Sequence, residues 1–151
     1  MTSYSQTSKR VAWALLVATL FLAFLVCFAV GFVSVFVGFI KHLIEPEYPW
    51  RFAGALWFAS AVLLPALLLA RFYFVVAANR LHSPRYATIG WAASACYHAA
   101  LTWLFIFYMP GTLQTSGSGL RLPLSFISGA ALCASLYLLI RYPRPPQLPT
   151  Q

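Results

Sequence analysis

Residues 11–40, VAWALLVATLFLAFLVCFAVGFVSVFVGFI, run for thirty positions without a charge, between Lys9-Arg10 on one side and Lys41-His42 on the other. At ~1.5 Å per residue a helix of that length is roughly 45 Å long, against about 30 Å for a hydrocarbon core. A single helix over the whole run must therefore tilt or project beyond the bilayer. The run is also too long for the apolar part of a cleaved signal, which is about 7–15 residues, so it is expected to be retained. Val26 stands before Cys27 where a lipoprotein signal would place a small residue.

Outward from this run the same pattern recurs. An apolar stretch covers residues 52–70, is interrupted by Arg71 and resumes to residue 78. Another follows the turn signal Ser83-Pro84-Arg85, covers 87–109 and stops at Pro110-Gly111; the last covers 122–140, with Pro123 expected in the first helical turn. The chain therefore reads as an all-α, polytopic integral membrane protein with four transmembrane helices. The spans are 11–40, 52–78, 87–109 and 122–140, between an N-terminal tail, 1–10, and a proline-rich tail, 141–151. Pro143, Pro146 and Pro149 favour polyproline II geometry in that tail.

Composition agrees. Of 151 residues, 62% are hydrophobic and 8% charged, whereas soluble domains have about 45–50% and about 25%. The net charge of +8 comes from ten Lys and Arg against Glu45 and Glu47. These cations sit at the ends of apolar runs and form no dense stripe that could track phosphates, so a nucleic-acid partner is not expected. Seven of the ten (Lys9, Arg10, Arg71, Arg80, Arg85, Arg141 and Arg144) fall on one side; Lys41, Arg51 and Arg121 fall on the other. The positive-inside rule then puts both termini in the cytoplasm. Eight Arg against two Lys, with abundant Ala and Leu, suit a bacterial inner membrane.

Chemistry inside the spans is sparse. No Asp, Glu, Lys or Arg lies at the centre of a span, which removes the usual proton-coupling carboxylate. Cys27, Cys96 and Cys133 make no C-x-x-C pair. The chain lacks the Glu-Arg-bearing second helix of the membrane glutathione-transferase-like family, the cysteine pairs of vitamin K epoxide reductase-like proteins and the histidine pairs of b-type cytochromes. Gly90, Ser94, His98 and Thr102 recur every fourth residue, one stripe on one helix face, with Tyr97 beside the histidine. Such a stripe should face protein, because lipid cannot satisfy its hydrogen bonds. A bis-histidine haem would need a second mid-membrane histidine, and His42 and His82 lie at span ends. Arg71, flanked by apolar residues, is expected to snorkel toward headgroups. Gly31, Ser34 and Gly38, Gly90, and Ser125 with Gly129 mark expected helix-packing faces. Pro65 should bend its helix, because the Ala61 carbonyl loses its donor.

These readings favour a non-catalytic membrane subunit or assembly factor, packed in the bilayer against a larger complex or in a homo-oligomer, with no cofactor expected. One alternative is a binder of a hydrophobic ligand such as quinone, haem or lipid, using His98, Tyr97, Ser94, Thr102 and Arg71. Another, on architecture alone, is an immunity protein against a pore-forming toxin.

Overall fold

In a computed structural model of the chain, which describes residues 6–28, 33–44, 50–81, 83–107 and 118–141, the helices are α1 (Gln6–Val26), α2 (Val33–Ile44), α3 (Trp50–Ala77), α4 (Pro84–Phe107) and α5 (Ser118–Arg141). No strand occurs among the described residues. Among the described residues, four segments are long and apolar enough to cross a membrane: Gln6–Val26, Leu56–Ala77, Pro84–Phe107 and Leu122–Arg141.

Apart from Ala23 and Ala95, which are buried beside the stripe, the buried positions of the four spanning helices advance by alternating steps of three and four. They are Ala12, Leu15, Thr19, Leu22 and Val26 on α1, and Val62, Ala66, Leu69, Tyr73 and Val76 on α3. On α4 they are Ala87, Trp91, Ser94, His98, Leu101 and Phe105, and on α5 Leu124, Ser128, Ala131, Ser135 and Leu138. A seam repeating every seven residues keeps each helix's inward stripe on its neighbours when helices cross at about 20°. The two most extensive contacts are α4 on α5 and α1 on α3; α1–α5 and α3–α4 contacts close the ring, and α2 rests on α3. Across the diagonals, α1 to α4 and α3 to α5, no Cα atoms lie within 8 Å. Two apolar clusters fill the bundle. One joins Leu15, Tyr73, Trp91 and Leu138, and the other joins Leu22, Val62, Leu101 and Leu124. Between them lies a polar layer.

Several boundaries differ from those expected. The apolar run 11–40 is divided: α1 ends at Val26, a π-type turn takes Cys27 and Phe28, and α2 starts at Val33. The 21 residues of α1 rise about 32 Å. Among the described residues no one helix covers the run; residues 29–32, between α1 and α2, lie outside them. Residues 6–10, expected as tail, already belong to α1, since Gln6-Thr7-Ser8-Lys9-Arg10 contains no breaker. On α5 the helix begins at Ser118, so Pro123 lies inside it and not in its first turn. There it removes the N–H that would serve the carbonyl of Gly119. Residues 45–49 and 108–117, Gly31 and the tail from residue 142 lie outside the described residues.

The α3–α4 connection shows why the chain reverses where it does. Asn79, at φ 55°, takes the left-handed conformation that Asn tolerates, while Arg80 N–H donates to Val75 O and Asn79 N–H to Val76 O, both at 3.0 Å. These two bonds are a Schellman cap. Pro84 then opens α4 at the position where a missing N–H costs nothing, and Ala87 N–H donates to Ser83 O at 3.3 Å. Gly90 lies under the Phe72 ring, whose edge occupies the space an added Cβ would need.

Candidate functional site

The polar layer is a hydrogen-bonded network to which all four spanning helices contribute. Thr19, Ser94, His98, Ser128 and Ser135 are all wholly buried. Hydroxyls at this depth have no water to turn to, so their partners must come from the protein.

Proton accounting gives the network a direction. His98 Nδ1 is 3.2 Å from the Ser94 carbonyl oxygen, which can only accept, so Nδ1 carries the proton. A neutral ring then offers Nε2 as acceptor to the Thr19 hydroxyl, 3.2 Å away. This bond crosses the diagonal that the backbones of α1 and α4 leave open. The hydroxyls form a second chain. Ser135 donates to Ala131 O at 2.8 Å, which obliges Ser94, 2.6 Å from Ser135 Oγ, to be the donor between them. Having spent its proton there, Ser94 accepts from Tyr73, whose hydroxyl is 2.5 Å away. Ser94 is therefore the node, its hydroxyl tying α3 to α5 and its carbonyl orienting the ring that reaches α1.

One turn further along α4, Thr102 Oγ1 lies 2.7 Å from His98 O and 3.0 Å from Ser128 Oγ, and Ser128 Oγ lies 3.1 Å from Ser125 O. Two hydroxyl protons serve three acceptors here, so one contact is made at the expense of another. Tyr97 points elsewhere: its hydroxyl donates to Val62 O at 3.2 Å, three residues before Pro65. Val62 O is next to the Ala61 carbonyl that Pro65 leaves without its helical donor, so the tyrosine bonds the α3 ladder beside that gap and not at it.

Of the residues singled out in the sequence, Ser94, His98 and Thr102 meet in this layer and Gly90 lies on the same inward stripe. Tyr97 touches its edge. Arg71 does not join them: it is exposed on the outer face of α3. Gly129 has open space where a Cβ would be, with nothing within 4 Å, so its lack of a side chain serves no close approach inside this chain. Ser125 is half-buried and supplies its carbonyl to Ser128. Ser34 and Gly38 lie on α2, but their side-chain surroundings, like all of Gly31, are outside what is described. Sequence reasoning missed Thr19, Tyr73, Ser128 and Ser135. The seven-residue seam was the signal: Ser128 and Ser135 stand two turns apart on the stripe of Leu124, Ala131 and Leu138.

A hydroxyl on an imidazole is half of a nucleophile–base pair. Here both members are wholly buried, and both ring nitrogens are engaged by the protein, so ligation by Nε2 would require breaking the Thr19 bond. Among the described residues no group of three His, Cys, Asp or Glu side chains converges as a metal site. One donor stands apart: Trp91 Nε1 is buried with no hydrogen-bond partner, its ring set edge-on to Phe72 with centroids 5.0 Å apart. No protein-family model matches this chain, and no curated protein or solved structure matches it significantly.

Proposed function

We propose that the protein is a non-catalytic subunit or assembly factor of a larger membrane complex, docked through the outer face of α4 and α5. The observation that carries this reading is the composition of that face at mid-depth. Ala93, Cys96, Ala99 and Ala100 on α4, and Ala130 and Cys133 on α5, are all exposed. The two helices run in constant antiparallel register, Ser94 level with Ser135 and Thr102 with Ser128, so Cys96 and Cys133 stand at one depth. The result is a smooth waist between bulkier exposed residues: Tyr86 and Ile89 toward one end of α4, Trp103 and Phe107 toward the other, with Phe126 and Tyr137 on α5. Small residues let a foreign helix approach closely, and close approach is what supplies dispersion where burial gives no hydrophobic gain.

The polar layer supports the same reading from inside. Its hydrogen bonds are nearly all completed within the chain, as befits a bundle that holds its own shape while its outer surface does the binding. Within this proposal both termini lie on the cytoplasmic side, which the distribution of Lys and Arg favours, in a bacterial inner membrane, which the excess of Arg over Lys with abundant Ala and Leu suits. Mild solubilisation from the native membrane tests the proposal. Migration with a partner, at a mass well above one chain with its detergent belt, is expected. Migration as a lone monomer would overturn it.

A further inference from the structure

We infer that the seam between α1 and α3 holds the headgroup of an anionic phospholipid at Arg71. This site lies away from the α4–α5 face and does not depend on what docks there.

Depth comes first. On the two antiparallel helices the ring of Trp13 meets that of Phe74, edge to face at 6.1 Å, and the Cys27 thiol donates to Ala59 O at 3.6 Å. That register holds from one end of α1 to the other and sets Arg71 level with Leu15 and Leu16. Arg71 is thus five or six residues further into the bundle than Arg10, about 8 Å along the helix axis. An arginine stem spans such a distance by lying along apolar surface with its head turned toward the interface.

The surroundings identify what the guanidinium meets. Arg71 is exposed on the stripe that also carries Leu67, Leu68 and Phe74, with Trp13 across the seam, half-exposed at the level where indole rings settle between headgroup and acyl chain. No Asp or Glu occurs among the described residues; Glu45 and Glu47 follow α2, in the connection beyond its end. The counter-charge available at this depth is a lipid phosphate, which a guanidinium can grip with two parallel hydrogen bonds. Selection for net negative charge comes from Lys9 and Arg10. They stand one turn before Trp13 on the same side of α1, so they face whatever projects beyond the phosphate. A choline or ethanolamine headgroup would set its ammonium against them, whereas glycerol would not.

The test uses the purified full chain, titrated with dioleoyl phosphatidylglycerol or dioleoyl phosphatidylcholine and read by native mass spectrometry. The wild type should take up phosphatidylglycerol at a several-fold lower concentration. Arg71→Gln should erase that preference, and Arg85→Gln, in the first turn of α4, should keep it. Equal uptake of the two lipids by the wild type would overturn the proposal, as would an equal loss in both variants, which would mean a diffuse basic rim. If Arg71→Gln does not fold, brominated lipids decide. Phosphatidylglycerol brominated on its acyl chains should quench tryptophan emission more than its phosphatidylcholine counterpart, and the excess should vanish in Trp13→Phe. No excess, or one that survives Trp13→Phe, refutes the site.

Discussion

The bundle has two outward sides of opposite texture. At mid-depth the α1–α3 side projects Val17, Phe21 and Phe24, with Leu64, Leu67 and Leu68, whereas the α4–α5 side projects alanines and two cysteines. Both are apolar, and hydropathy treats them alike. They differ in what can lie against them: fluid acyl chains accommodate protruding side chains, while a packed helix needs a surface it can approach. In water the distinction between core and surface is polar against apolar. In lipid it is knobbed against smooth, and polarity moves to the inside, where Thr19, Tyr73, Ser94, His98 and Ser135 tie the helices together.

The largest expected effect comes from roughening the smooth side. Ala100→Trp should leave the monomer folded and weaken partner association by roughly tenfold or more, since overpacking costs about 1–3 kcal/mol. Leu67→Trp, which puts the same ring on the other side, should leave association unaltered. Pull-down yield from solubilised membranes, with monomer elution as the folding control, measures both. If the two substitutions weaken association equally, the contrast between the sides has no functional meaning.

Two glycines on neighbouring helices should respond in opposite ways. Gly90→Ala drives a methyl into the Phe72 ring, which already packs edge-on against Trp91, and should destabilise by about 1–3 kcal/mol. Gly129→Ala meets open space and should be neutral to slightly stabilising through helix propensity, by less than about 1 kcal/mol. Thermal unfolding in detergent gives both values, and a Gly129→Ala variant as damaged as Gly90→Ala would show that α5 packs on α4 through a different face.

Within the polar layer the node should matter more than a branch. Ser94→Ala leaves Tyr73 without its acceptor and Ser135 without its donor, and should cost about 1–2 kcal/mol. Thr19→Val removes one bond and should cost nearer ~0.6 kcal/mol, the average for interhelical hydrogen bonds in membrane proteins. The same melts rank them, and a larger loss for Thr19→Val would refute the direction assigned to the network.

Four spanning segments were legible in the chain because a helix of about twenty mostly apolar residues, with no charge at its centre, matches the thickness of a hydrocarbon core and has no charged side to turn to water. The end of α1 at Val26 was not, because Cys27 and Phe28 are as apolar as their neighbours and a π-type turn leaves no compositional trace. The stripe of Ser94, His98 and Thr102 was legible because its spacing lies within one helix. Its partners were not, because Thr19, Tyr73, Ser128 and Ser135 are brought in by three other helices, and a lone hydroxyl in a span reads the same whether it faces lipid or core. The steps of three and four that place them inward become visible only when all the helices are compared together. Gly129 is the reverse case: its small-xxx-small spacing pointed to packing, and the helix turns it away from its neighbours.

The central claim, that one side of the bundle meets protein and the other lipid, is tested most directly by photocrosslinking in the native membrane. A photoreactive residue is placed in turn at Ala100, Cys133, Leu67 and Val17. Discrete protein adducts from Ala100 and Cys133, with only lipid adducts from Leu67 and Val17, are the predicted result; protein adducts from Leu67 or Val17, or none from any position, would contradict it.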